Sequence, residues 1–240
     1  MNIAIIGAGN IGGTLAGKLV KLGHKVFIAN SRGPASLADF AATTGAAPVT
    51  VQEAANSGDV VIISIPLKSV PELPKDLFKD VPAHVAIVDT GNYYPTIRDG
   101  VIQEVEDGLQ DSEWVQQQIG RKVVKAFNSI AANSLINGGR PRGDKDRFAL
   151  SIAGDDEQAK AVVMQLIDEL GFDPYDQGPL NLSWRQQGGT AVYCTDLKLA
   201  DMIAAIDAQG TELTPEMHKR DAIARDERVA AYLRSLQENQ

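Results

Sequence analysis

Between an apolar run at Asn2–Ile6 and a segment with helical spacing at Ile11–Leu22 lies Gly7-Ala8-Gly9-Asn10-Ile11-Gly12. Three glycines so spaced tie the chain to one local geometry. Gly7 permits a tight turn, Gly9 leaves the backbone bare where a ligand approaches, and Gly12 lets a helix lie close to the strand before it. The flanking strand and helix are the context that lifts this spacing above a chance match. The first N–H groups of such a helix lack partners and face the turn, which predicts a seat for a dinucleotide pyrophosphate. Gly7, Ala8, Gly9, Asn10, Ile11 and Gly12 are the expected contacts.

Downstream, apolar runs bounded by turn residues recur at Lys25–Ala29, Val60–Ser64, Val85–Asp89, Lys122–Ala126 and Phe148–Ala153, with helical patterns between several of them. This alternation predicts an α/β fold of the Rossmann type, a doubly wound and mostly parallel sheet. Val60–Ile63 and Ile87–Val88 are nearly continuous in branched apolar residues, as central strands covered on both faces require. Ligands in such sheets bind beyond the carboxyl ends of the strands, so Ser64–Pro66, Thr90–Tyr94 and Phe127–Ile130 are candidate site loops. Asp155–Leu170 reads as a surface helix, with acidic residues at its positive end and Gly171 ending it. Beyond Gly178 the alternation fails. Residues 1–178 are therefore expected to form the nucleotide-binding domain, and 179–240 a small helical or irregular extension. In that extension Leu180–Thr195 reads as an irregular polar stretch. Glu216–Leu236 reads as an amphipathic helix that packs back on the domain or joins a second subunit in a homodimer.

The end of the second strand decides which dinucleotide fits. A carboxylate about 20 residues beyond the first glycine would accept hydrogen bonds from the ribose 2′-hydroxyl of NAD. Asn30-Ser31-Arg32 stands there instead. A guanidinium offers paired N–H donors to a phosphate and a serine hydroxyl adds another, so Asn30, Ser31 and Arg32 predict selection of NADP.

Several other functions lose their support. A net charge of −8 opposes general nucleic-acid binding, which needs clustered cations to displace counterions. No apolar run reaches the length of a membrane span, and the first strand starts where a secretory leader would lie, so a cytoplasmic protein is expected. The single cysteine, Cys194, forms no intrachain disulfide framework, and nothing beside it in sequence activates a thiolate. There is no metal-ligand spacing and no Gly-x-Ser-x-Gly elbow, so no metal is expected. His24 and His84 fall at the edge opposite the expected crevice and, like His218, read as surface residues.

No acid or base stands out, and the catalytic residues stay unassigned. Hydride exchange between two stacked rings mainly needs orientation and exclusion of water, whereas a carbonyl reductase would need a proton donor. This favours a planar acceptor, a deazaflavin or flavin. A reductase of a small imine or carbonyl compound and a non-catalytic NADPH sensor are the alternatives. Ser64, Ile65, Pro66, Asn92 and Ala126 are expected on the cofactor side, with Ile65 and Pro66 as an apolar wall. Tyr93, Asn128 and Trp184 are expected in the substrate pocket, Trp184 by stacking.

Taken together, Asn2–Gly12, Asn30-Ser31-Arg32, Val124-Lys125-Ala126-Phe127-Asn128, Ala153-Gly154-Asp155-Asp156 and Asp176-Gln177-Gly178-Pro179-Leu180 resemble the NADP oxidoreductases dependent on coenzyme F420. The resemblance spans roughly residues 1–182. It implies a Rossmann domain with a small C-terminal part, NADP at the strand edge and an 8-hydroxy-5-deazaflavin ring stacked on the nicotinamide. By motif it carries cofactor contact over to the glycine turn, Ser31, Arg32, Ile65, Pro66 and Ala126. After Trp184 the sequence departs from the family pattern, through Arg185–Leu197 and the charged tail. The same N-terminal fold is shared by pyrroline-carboxylate reductases and metalloreductases.

Overall fold

Strand β1 (Asn2–Ile6) alternates its side chains between two interiors. Ile3 and Ile5 enter one apolar cluster, while Ala4 and Ile6 enter another on the opposite face. A strand buried on both sides needs neighbours on both edges, and the sheet supplies them. The computed structural model describes residues 1–238. It contains eight strands in the order β3-β2-β1-β4-β5-β6-β7-β8. They are β2 (Lys25–Ala29), β3 (Ala47–Pro48), β4 (Val60–Ile63), β5 (Ala86–Asp89), β6 (Val124–Lys125), β7 (Ala149–Gly154) and β8 (Asp173–Asp176). From β3 to β6 the pairing is parallel; β7 runs antiparallel to β6 and β8 parallel to β7. This is the expected Rossmann-type sheet with a reversed outer pair.

The helices are α1 (Asn10–Lys21), α2 (Ala38–Thr44), α3 (Val51–Ser57), α4 (Gln103–Glu106), α5 (Asp111–Ile119), α6 (Ala132–Asn137), α7 (Glu157–Glu169), α8 (Leu199–Asp207) and α9 (Pro215–Glu238). Local chemistry sets several boundaries. At the end of α1, Gly23 takes φ 88 and donates to the Val20 carbonyl while His24 donates to that of Leu19, the paired bonds of a Schellman cap. Thr50 and Glu53 form a reciprocal capping box on α3, and the Asp156 carboxylate accepts from Gln158 and Ala159 at the start of α7. Leu15 and Leu19 of α1 are fully buried against β1, each burial contributing about 1.5–3 kcal/mol.

The segment from 179 onward is not a separate body. Val192, Met202 and Ile206 form a cluster with Ala149 of β7, with Tyr175 of β8 packed against it. Leu180–Thr195, expected to be an irregular polar stretch, begins with a 3-10 helix over Leu180–Gln186, and its Ser183, Trp184, Arg185, Gln186 and Thr190 are buried. The last two residues of the expected 179–240 extension lie outside the described residues. Among the described residues no helix is long and apolar enough to cross a membrane.

Candidate active site

The carboxyl ends of β1, β2 and β4 open onto a cavity of about 600 Å³. Gly7, Ala8, Gly9, Asn30, Ser31, Arg32, Ser64, Ile65 and Pro66, all expected at the cofactor, line it together. The glycines divide their work as the turn requires. Gly7 sits at φ +116, and a Cβ there would lie 2.1 Å from the Ser64 carbonyl oxygen. A Cβ on Gly12 would lie 2.1 Å from the Gly7 oxygen, so α1 can approach β1 only without it. A Cβ on Gly9 would meet nothing within 4 Å: it would project into open space. Gly9 is also the N-cap of α1, with no side-chain cap and no acidic residue in the first turn. Bare N–H groups beside space that a side chain would fill are what a dinucleotide pyrophosphate requires. Asn10 and Ile11 belong to the first turn of α1 without lining the cavity, and Gly12 is buried.

At the tip of β2 the Asn30 side chain accepts from the Arg32 backbone N–H at 2.9 Å and donates to the Ser36 hydroxyl. The loop is thus shaped from within, leaving Ser31 and Arg32 exposed. Among the described residues no carboxylate forms an ion pair with Arg32. A cation that is ordered at its root and free at its tip suits a phosphate monoester. Val51, Ser69, Glu72, Leu73 and Pro74 complete the cavity wall. Sequence reasoning missed them; Ser69, Glu72, Leu73 and Pro74 had one signal, a place just beyond the Ser64–Pro66 loop, and Val51 at the start of α3 had none.

The edge over β5 and β6 is assembled differently. Lys125 is 0% exposed, its Nζ donating to the Gly91 carbonyl at 2.6 Å and lying 3.3 Å from the Asp89 carboxylate. Asp89 also accepts from the Gly91 N–H and from the Ser112 hydroxyl. Both backbone groups of Gly91 are therefore held, which fixes the loop presenting Asn92. The Asn92 amide donates to the Asn128 carbonyl at 3.0 Å and accepts from the Asn128 side chain at 3.1 Å. Asn128 in turn accepts from Gln186 at 2.7 Å and donates to the Gln186 carbonyl. The extension beyond 179 is stitched to the ligand edge through this amide cluster. Asn92 and Ala126 do not line the 600 Å³ cavity, and Ala126 is fully buried, its N–H donating to the Asp89 carbonyl.

Two expected pocket residues are interior instead. Tyr93 is buried in an apolar cluster, its hydroxyl donating to Glu106 and accepting from the Ile102 N–H. Trp184 is 2% exposed and borders a void of about 30 Å³ beneath α9, together with Asp111 and Arg225. In this structure neither ring is open to an acceptor. Buried Asp111 accepts from the Tyr93 N–H, and burial pushes its carboxyl above the usual aspartate range, against the opposing pull of Lys125. Neither is His24 a bare surface residue: its Nε2 lies 2.8 Å from Glu169, joining the turn after α1 to α7. Burial pushes the Cys194 thiol up, which disfavours the thiolate.

Comparison with known proteins gives consistent neighbours. Residues 2–93 match the family model described as NADP oxidoreductase, coenzyme F420-dependent. A solved structure of a hypothetical protein from Sinorhizobium meliloti is 33% identical, with 82% of this chain and 95% of that one covered and a TM-score of 0.69. A structure from Arthrobacter sp. FB24, assigned as an F420-dependent NADP reductase, is 26% identical over 77% of this chain and 87% of that one, with a TM-score of 0.61. The YjhV protein of Escherichia coli (strain K12) is 43% identical over 65 residues, 27% of this chain and 47% of its own length. The chain thus spans less than half the length of the curated relatives it matches.

Proposed function

From the match of residues 2–93 to the coenzyme F420-dependent NADP oxidoreductase family model, we propose that the chain is an NADPH-dependent oxidoreductase passing hydride to a planar acceptor, a deazaflavin or flavin. One observation carries the reading. A single cavity joins the bare N-terminus of α1, where a Gly9 side chain would project into open space, to an Arg32 guanidinium that among the described residues has no carboxylate partner.

In this reading the N–H groups of the glycine turn and of the first turn of α1 hold the pyrophosphate. Ser31 and Arg32 hold the 2′-phosphate by charge-assisted hydrogen bonds. Ile65 and Pro66 form an apolar wall that keeps water from the nicotinamide end. NADPH, when bound, supplies a hydride from its nicotinamide ring. The acceptor lies beyond β4, over the loops that follow β5 and β6, where Asn92 and Asn128 hold each other in place.

The test has two stages. Titration of the free protein with NADPH and NADH is expected to show tighter NADPH binding; equal affinities would sink the phosphate assignment. NADPH oxidation across a panel of flavins, deazaflavins, quinones and imines then separates an enzyme from a sensor, which would bind NADPH and oxidise it with none of them.

A further inference from the structure

Resting on that reading, the geometry points to a proton-donating corner at the acceptor end of the ligand edge. We propose that Tyr94 gives its phenolic proton to the acceptor, and that the Tyr193 hydroxyl stabilises the phenolate left behind.

Four observations meet at this corner. First, Tyr94 lies in the loop after β5 while Tyr193 belongs to the extension, 99 residues away in sequence, yet their hydroxyls are hydrogen-bonded to each other. Second, the backbone carries Tyr193 to the carboxyl end of β6, because the Cys194 N–H donates to the Ser129 carbonyl at 2.7 Å. Strands lie about 4.8 Å apart, so the pair is one to two strand spacings beyond Ser64–Pro66, where the nicotinamide end of the proposed cofactor falls. Third, each ring is backed by a cation: the Arg98 guanidinium lies 5.0 Å from the Tyr94 ring and that of Arg228 lies 5.9 Å from Tyr193. Fourth, among the described residues the non-glycine residues with positive φ are Phe127 at 59°, Cys194 at 53° and Asp196 at 51°. All three lie in the loop after β6 and in the strand of chain bonded to it. Strained backbone of this kind persists only where surrounding structure enforces it, and it gathers at functional sites.

The asymmetry of the pair assigns the roles. Burial raises both phenols, so both keep their protons at neutral pH and can act as donors. The bond from Tyr193 and the charge of Arg98 pull Tyr94 back down, whereas the contact with Tyr94 pushes Tyr193 further up. Tyr94 is the better acid. Its O–H bond breaks as an O–H or N–H bond forms on the acceptor atom conjugated to the one that takes the hydride. The electron pair for the new bond comes from the acceptor, and the pair from the broken bond stays on the Tyr94 oxygen. Water then returns a proton, so NADPH, one proton and the oxidised acceptor give NADP and the reduced acceptor. The class of acceptor follows: its reduction must take up a proton at oxygen or nitrogen as well as a hydride.

The test uses Tyr94→Phe and Tyr193→Phe in the full chain, with riboflavin and 9,10-phenanthrenequinone as probes. Tyr94→Phe is expected to lower kcat about 100-fold and Tyr193→Phe about tenfold. NADPH affinity, and riboflavin affinity read by fluorescence quenching without turnover, should stay within about twofold in both variants. Imidazole buffer should restore part of the Tyr94→Phe rate in proportion to its concentration, since an external acid then replaces the phenol; a merely structural tyrosine would give no such rescue. If the unmutated protein oxidises NADPH and either Phe variant does so equally fast, the proton-donor role is overturned while the oxidoreductase reading stands. If the unmutated protein binds NADPH but oxidises it with neither probe, the oxidoreductase reading falls and the tyrosine role falls with it.

Discussion

Over β1, β2 and β4 the ligand edge is lined with bare backbone, whereas over β5 and β6 it is lined with side chains that hold one another. The first region is made by residues 6–74, and its recognition elements are glycines, helix N–H groups and a loop tip. The second needs Asn92, Asn128 and Gln186, joined across sequence separations of 36 and 58 residues. A backbone-built cradle recognises what dinucleotides have in common. A corner built from side chains can differ from one relative to another without disturbing the cradle, and Gln186 lies in the stretch after Trp184 where the sequence departs from the family it resembles.

Four measurements would break or sharpen that contrast. The largest effect should come from the side-chain end. Trp184→Ala empties a buried site and is expected to cost about 3–5 kcal/mol in urea unfolding, with NADPH binding to the remaining folded protein unchanged. A stable variant that loses only turnover would return Trp184 to the acceptor pocket.

Next is Gly9→Val. Gly9 has φ −79, which valine adopts, and its Cβ direction is open, so the melting temperature should hold. NADPH affinity should fall at least about 100-fold, or about 2.7 kcal/mol, because the side chain occupies the pyrophosphate's place. Arg32→Ala should be milder, weakening NADPH about tenfold or more while leaving NADH nearly unchanged. Loss of both cofactors together would mean that Arg32 supports the loop rather than reading the phosphate.

The smallest effect concerns pH. The carboxyl of Asp111 is raised by burial above the ordinary value of 3.8. Its neutral form therefore contributes stability that is complete below that value and is lost as pH rises through the folded-state pKa. Asp111→Asn keeps an acceptor for the Tyr93 N–H and cannot ionise. Relative to the unmutated protein it should gain stability between pH 4 and pH 8, measured by urea unfolding; a pH-independent difference would place the charged form in the native state.

The same contrast explains what could be read from the sequence. The glycine turn, the branched runs of β4 and β5 and the Gly171 stop are local signals, since each depends on neighbours within a few residues. β3 and β8 were not legible: Ala47–Pro48 has only two residues, and Asp173–Asp176 contains Pro174, which a strand tolerates at a sheet edge. Arg185 and Gln186 look like surface chemistry, yet they are buried where distant backbone and amide groups receive them. Arg185 donates to the Gly210 and Gln177 carbonyls, and Gln186 bonds to Asn128. No local pattern announces partners so far along the chain. For the same reason Tyr94 and Tyr193 carried no sign of an acid.

The reversal of β7 has a consequence for how such a chain can be altered. Because β7 and β8 run against β6, β8 finishes at the edge away from the cavity, and Leu180 is tied there to Asp155. The 3-10 helix then crosses back, so that Gln186 reaches Asn128 and Cys194 reaches Ser129. A parallel outer pair would start that crossing from the wrong side. The stretch from 177 to 193 is thus a ruler of set length, and one inserted residue would carry Tyr193 past its mate. The exposed turn Arg140–Asp146 has no such duty and is the natural place to graft an epitope or a label.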